Sequence, residues 1–135
     1  MNKELEKNDV ELSVDELKTL ISTMDKSDKS KFKTIILKFG ATWCKPCQDI
    51  KKHCNTCFAA MPETVKCYDI DIDLEENIEL YTILKNKKMV RGVPTLLAYV
   101  NKPTRDMNQW YASDMSVSGS NSNNITLFFQ TIKNY

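Results

Sequence analysis

Cys44 and Cys47, two cysteines separated by two residues, are the side chains of this sequence best suited to chemistry. An apolar run at 34–37 precedes them and the helix-permissive residues 48–52 follow, so the pair lies at a predicted strand-to-helix turn. The unpaired N–H groups and the positive end of the macrodipole at a helix start favour a thiolate at Cys44. Cys47 follows one turn later and can close a disulfide with Cys44, while Pro46 occupies the first turn, where a missing N–H is tolerated. The spacing therefore indicates thiol–disulfide chemistry.

The segment Trp43-Cys44-Lys45-Pro46-Cys47 after an apolar strand resembles the active-site motif of the thioredoxin family. A second segment, Gly92-Val93-Pro94-Thr95, is similar to the family segment that carries a cis proline facing the disulfide. The resemblance implies that Pro94 is cis and packs against the disulfide, and that the backbone of Val93 pairs with an extended substrate segment. The substrate-binding residues that it implies are Trp43, Lys45, Pro46, Gly92, Val93 and Pro94.

The same resemblance implies roles for the two cysteines. Cys44, which we expect to be partly exposed beside Lys45, attacks a substrate disulfide as a thiolate, and Cys47 resolves the mixed disulfide. The predicted function is reduction of protein disulfides, with electrons from a thioredoxin reductase or a small thiol and with no metal, flavin or nucleotide on the chain. A disulfide oxidase or isomerase is the alternative within this chemistry, because reduction potential and compartment set the direction. A thioredoxin-fold adaptor that binds a partner with little turnover is the alternative from another class, and the intact cysteine pair disfavours it.

Lys38 is the residue at which the sequence departs most from the family. Counting back from Trp43, Lys38 occupies the position where thioredoxins commonly have a buried aspartate, and Asp69 lies near the position of the lysine that pairs with that aspartate. Two interpretations stand: either the pair is inverted, with Lys38 buried against Asp69, or Lys38 extends to solvent and touches nothing. A buried Lys38 would favour a thiolate at Cys44 or Cys47 and make the protein a weaker reductant.

The sequence has five cysteines in all, and this odd number leaves at least one thiol free. Cys54 and Cys67 are predicted to be buried, and a disulfide between Cys54 and Cys57 is the alternative for that pair. A zinc site is disfavoured because the four cysteines at 44–57 lie on one predicted helix, spread along about 20 Å of its axis. His53 is predicted to be a surface histidine.

The composition argues against nucleic acid and membrane partners. The 19 basic and 18 acidic side chains give a net charge of +1, and no apolar run approaches the length of a membrane span. Residues 1–9 are polar, lack the apolar segment of a secretory signal, and are expected to form a flexible tail. These observations favour a cytoplasmic protein.

The hydrophobic pattern predicts elements in the order α-β-α-β-α-β-β-α within one domain of 135 residues. The predicted helices cover 14–25, 45–61, 74–86 and 125–132, and the predicted strands cover 33–39, 65–72, 95–100 and 110–118. This order predicts an α/β protein with a thioredoxin fold, in which helices flank both faces of a central mixed sheet. The first two strands should be parallel and the last two antiparallel.

Local signals mark some of the element boundaries. Ser13 followed by Glu16 predicts a capping box at the first helix, and Asp73 offers a cap for the third. Trp110 and Tyr111 are predicted to be aromatic residues of the last strand, at the edge of the sheet.

Overall fold

The structure, a computed structural model, describes residues 11–26 and 31–135. Within these ranges the helices are α1 (Val14–Lys26), α2 (Lys45–Ala59), α3 (Glu75–Asn86) and α4 (Ser122–Lys133), and the strands are β1 (Thr34–Gly40), β2 (Val65–Asp71), β3 (Thr95–Val100) and β4 (Met115–Ser118). A short 3-10 helix, Met107–Gln109, precedes β4. The flexible tail predicted for residues 1–9 lies outside the described residues.

The four strands form one mixed sheet in the order β2-β1-β3-β4. Strand β1 runs parallel to β2 and antiparallel to β3, and β3 runs antiparallel to β4. The α2 helix supplies the long crossover that a parallel strand pair requires. The predicted fold class and strand directions are therefore confirmed.

Both faces of the sheet are covered because the side chains of β1 alternate between them. Ile35, Leu37 and Phe39 pack into a core with residues of α1 and α3, whereas Ile36 packs into a second core with residues of α2 and α4. All seven residues of β1 are buried, as expected for a central strand covered on both sides. Lys38 shares the face of Ile36, so its side chain lies on the α2 side of the sheet. No helix in the described part of the chain is long and apolar enough to cross a lipid bilayer.

The last strand is shorter than predicted, starting at Met115 rather than at 110. Trp110 is only 8% exposed and belongs to the core that contains α1, so it is not an edge-strand aromatic, and neither is its neighbour Tyr111. The cause lies in the residues around it: Asp106 accepts the N–H of Asn108 and starts the 3-10 helix, whose end turns the indole inward. The prediction that 110–114 is extended was therefore wrong.

One of the two predicted helix caps is present. Ser13 and Glu16 form the reciprocal capping box, with N–H to side-chain distances of 2.9 and 3.1 Å. Asp73 does not cap α3, since Leu74 occupies the N-cap position without any side-chain hydrogen bond. The carboxylate of Asp73 is engaged by Trp43 instead.

Candidate active site

Cys44 is the N-cap of α2, at the turn that follows β1. Its backbone is extended, with φ −88° and ψ 111°, and its Sγ accepts the N–H of Cys47 at 3.2 Å. Pro46 lies in the first turn of the helix, where its missing N–H leaves no bond unmade. Cys44 and Cys47 are joined as a disulfide with their Cα atoms 5.2 Å apart. A sulfur that accepts an amide N–H at a helix N-terminus is stabilised as a thiolate once the disulfide is reduced.

The turn that carries the disulfide is tied to the start of α2. The N–H of Cys44 donates to the carbonyl of Ala41 at 3.2 Å, and the Gln48 side-chain amide donates to the carbonyl of Thr42 at 3.2 Å. Cys44 and Cys47 are only 5% and 4% exposed, so the expectation of a partly exposed Cys44 was wrong.

The second predicted segment lies against the disulfide. The Val93–Pro94 peptide bond is cis, and the carbonyl oxygen of Val93 lies 3.7 Å from Cys44 Sγ. The Thr95 hydroxyl donates to the carbonyl of Gly92 at 2.6 Å and so holds the loop before β3. Gly92 is exposed, Val93 half-buried and Pro94 buried. The antiparallel pairing of β1 with β3 thus brings together two segments about fifty residues apart.

Trp43 is 67% exposed and presents an apolar face beside the disulfide. Its indole N–H donates to the carboxylate of Asp73 at 2.7 Å, which fixes the ring over the surface. Sequence reasoning missed this role of Asp73, although the carboxyl ends of two parallel strands meet at one edge of a sheet and predict the proximity. Lys45 and Pro46 are exposed, and the Lys45 ammonium pairs with the carboxylate of Asp49 one turn along α2.

Lys38 is buried and paired, and it does not extend to solvent. The parallel register places it opposite Asp69, and its Nζ lies 3.5 Å from Asp69 Oδ1. The side chain of Lys38 is 5% exposed and that of Asp69 is 37% exposed. Both residues line a cleft of about 130 Å³ that also reaches Cys47 and is bordered by Lys51 and Asp71. The structure therefore brings the inverted charge pair to the Cys47 side of the disulfide.

The other three cysteines are free thiols. Cys54 and Cys67 are buried, and burial raises their pKa values to about 11 and about 12. Cys57 is half-buried, which also raises its pKa, and it does not form a disulfide with Cys54. His53 is half-buried rather than at the surface, because its Nε2 lies 2.9 Å from the hydroxyl of Thr126 on α4. Among the described residues, no three His, Cys, Asp or Glu side chains form a group able to hold a metal ion.

Known proteins resemble this chain both in sequence and in fold. Residues 14–117 match the family model described as Thioredoxin. Thioredoxin 3 of Plasmodium falciparum (isolate 3D7) is 31% identical over 97 residues, which are 72% of this chain and 47% of that protein. The chain thus spans about half the length of that curated relative.

Solved structures show the same relationship. The crystal structure of a Plasmodium falciparum thioredoxin is 27% identical, with a TM-score of 0.61 over 90% of this chain and 84% of that chain. Mitochondrial thioredoxin 3 of Saccharomyces cerevisiae, in its oxidized form, shares the fold with a TM-score of 0.64 over 96% of this chain and 99% of that chain, at 18% identity. Because the family model covers most of the chain and includes both segments that meet at the disulfide, the chain belongs to the thioredoxin family.

Proposed function

We propose that this protein reduces disulfide bonds in other proteins by thiol–disulfide exchange through Cys44 and Cys47. The observation that carries the proposal is the position of Cys44 Sγ, which caps α2, accepts the N–H of Cys47 and faces the carbonyl of Val93. A thiolate at a helix N-terminus is the reactive form of a cysteine, and the second cysteine within disulfide reach allows it to be released. Membership of the thioredoxin family supports the same activity.

The reaction proceeds in two exchanges. The Cys44 thiolate attacks one sulfur of the substrate disulfide, so that a mixed disulfide forms and the other substrate sulfur leaves as a thiolate. Cys47 then loses its proton and attacks Cys44 Sγ, which releases the second substrate sulfur and closes the Cys44–Cys47 bond. The substrate gains two electrons and two protons in all, and the protein loses the same number. A thioredoxin reductase or a small thiol must then restore the dithiol.

The surface around the disulfide suits an extended protein segment. Trp43 offers a fixed apolar face, and the half-buried Val93 lies next to the exposed Gly92 at the edge of the site. A substrate strand laid beside Val93 would pair through main-chain hydrogen bonds, which tolerate many side chains. Lys45 and Pro46 border this surface on the α2 side, and the buried Pro94 follows Val93 in the other segment. With Trp43, Gly92 and Val93 they form the proposed substrate-binding set. A reducing compartment, which we propose to be the cytoplasm, would keep the pair ready to act.

Insulin reduction in the presence of dithiothreitol tests the activity. The wild-type chain should accelerate precipitation and Cys44→Ser should not. After dithiothreitol has been removed, Cys47→Ser should retain substrates as a mixed disulfide at Cys44. Cys57→Ser is the matched control, because this half-buried thiol on the same helix should be dispensable. An adaptor would bind partners without accelerating precipitation, and appreciable activity in Cys44→Ser would show that another thiol is the nucleophile.

The redox equilibrium with glutathione separates a reductase from an oxidase or isomerase. A reductase should remain largely oxidised in a glutathione buffer in which an oxidase of the same fold is largely reduced. A reduction potential near that of a strong oxidant would contradict the proposed direction while leaving the exchange chemistry in place.

A further inference from the structure

Lys38 is a buried charge to which the two exchange reactions assign no role. Its side chain is 5% exposed on a strand whose other residues are all buried, and its cross-strand neighbour on β3 is Leu96. Burying an ammonium costs free energy unless a partner compensates, and Asp69 at 3.5 Å is more than one third exposed. An apolar side chain would fill this place in the core without that cost. The position of the charge therefore calls for a functional explanation.

The cleft beside Cys47 connects this charge to the active site. Its charged lining consists of Lys38 on β1, Lys51 on α2, and Asp69 and Asp71 on β2. Its volume of about 130 Å³ exceeds the space that one water requires, so water can join these groups to the Cys47 sulfur. Lys51 is exposed and the two aspartates are half-exposed, so solvent screens their charges, whereas Lys38 is buried. The charge of Lys38 is therefore the least screened of the four.

The field of Lys38 reaches the buried face of α2. Burial raises the pKa of Cys54 to about 11, while Lys38 acts in the opposite direction and lowers it. Cys47 and Cys54 are both on the buried face of that helix, two turns apart. Cys47 borders the same cleft as the lysine, so we expect the positive charge to act on Cys47 as well.

We propose that Lys38 is a positioning residue for the resolving step, a proposal that rests on the reductase function described above. Its ammonium stabilises the thiolate of Cys47, and Asp69 limits that effect by pairing with the ammonium. The charge thus has two consequences: it favours the attacking form of Cys47, and it stabilises the reduced protein and so weakens it as a reductant.

The resolving step balances as follows. In the mixed disulfide, Cys44 Sγ is bonded to a substrate sulfur and Cys47 is a thiol. The Cys47 proton leaves through the water of the cleft, and Lys38 stabilises the thiolate that remains. This thiolate attacks Cys44 Sγ, so the Cys44–Cys47 bond forms and the bond from Cys44 to the substrate breaks. The substrate sulfur leaves as a thiolate and takes up a proton from water.

Lys38→Met and Asp69→Asn test the proposal, because each keeps the side-chain volume and removes one charge. The equilibrium of the full chain with reduced and oxidised glutathione is measured at neutral pH, and resolution of a mixed disulfide with glutathione is followed between about pH 5 and pH 9. Lys38→Met should change the redox equilibrium constant about tenfold toward a stronger reductant, equivalent to about 30 mV, and slow resolution at neutral pH. Asp69→Asn should shift both measurements in the opposite direction. Lys51→Met removes an exposed lysine from the same cleft and should change the constant less than about twofold.

Opposite shifts in the two variants support the proposal. Shifts of the same sign, or an unchanged equilibrium in both variants, overturn it, because a purely structural pair would change stability and leave the equilibrium with glutathione alone. If Lys38→Met does not fold, the half-exposed Asp69→Asn decides by the same criterion.

The test also separates this proposal from the reductase function. The glutathione equilibrium requires only the Cys44–Cys47 disulfide, so opposite shifts in a protein that fails to reduce insulin would refute the reductase function alone. An active wild-type protein with unchanged variants would refute the role of Lys38 alone.

Discussion

Arg105 should be the side chain whose removal costs the most stability outside the apolar core. Its side chain is 5% exposed and its Nε donates to Asp25 at 2.7 Å, while its Nη2 donates to Asp114 at 3.0 Å and to the carbonyl of Val100. Asp25 and Asp114 are themselves only 9% and 13% exposed. The three residues therefore join the end of α1, the loop after β3 and the approach to β4 through nearly buried charges.

Arg105→Met keeps most of the side-chain length and removes the cation, so two buried carboxylates lose their main partner. Breaking a buried ion pair in this way costs about 3–5 kcal/mol. A chain of 135 residues has a total stability of about 7–20 kcal/mol, so the loss amounts to about 15–70% of it. Urea unfolding should show this difference, and the midpoint of thermal unfolding should fall by about 11–18 °C.

Arg105 stays charged across the accessible pH range, so its own titration leaves the deficit unchanged. Burial opposes the charge of Arg105, but its hydrogen bonds with Asp25 and Asp114 outweigh burial and raise its pKa. A group with a raised pKa in the folded state contributes its full stability below its unfolded pKa and loses it only as the pH rises through the folded value. For arginine both values lie above about 12, beyond the working range.

Lys102→Met is the matched control, because the Lys102 ammonium contacts the same Asp114 carboxylate at 3.3 Å but its side chain is 54% exposed. An exposed pair of this kind is worth about 1 kcal/mol or less. If Arg105→Met cost no more than Lys102→Met, burial would not set the strength of these ion pairs and the reasoning would be wrong.

Two further predictions concern buried groups away from the disulfide. With the active-site disulfide intact, an aromatic disulfide reagent should label Cys57 at about pH 8 but reach Cys54 and Cys67 only after unfolding. Rapid labelling of all three thiols in the native protein would contradict the burial. Burial also raises the pKa values of Cys54 and Cys67 to about 11 and about 12, so above about pH 9 the native state binds more protons than the unfolded state. The free energy of unfolding should therefore fall as the pH rises above about pH 9. Asn77→Leu should cost about 1–3 kcal/mol in urea unfolding, because the fully buried Asn77 amide accepts a backbone N–H before α1 at 2.8 Å and donates to a carbonyl at the end of β2 at 3.0 Å. An unchanged midpoint would show that water replaces both bonds.

The chemistry of Cys44 and Cys47 can be predicted from the sequence alone because its causes are local. An N-cap cysteine is predicted from three local features: the two-residue spacing of the pair, a proline in the first turn, and an apolar strand before the pair. None of them depends on a distant part of the chain. The order of helices and strands follows in the same way from the periodicity of apolar residues, and it was sufficient to predict a mixed sheet covered on both faces. The Ser13 capping box is likewise a contact between residues three apart.

Contacts between distant segments were decided only by the tertiary structure. The sequence left Lys38 either buried or extended to solvent, because the choice depends on the register that sets it opposite Asp69 and on α2 lying above it. Asp73 binds Trp43, thirty residues away in the sequence, and the core that receives Trp110 includes residues of α1 from the other end of the chain. Side chains of these types suit both a surface and a buried site, and only the folded arrangement of the strands determines which environment each one meets.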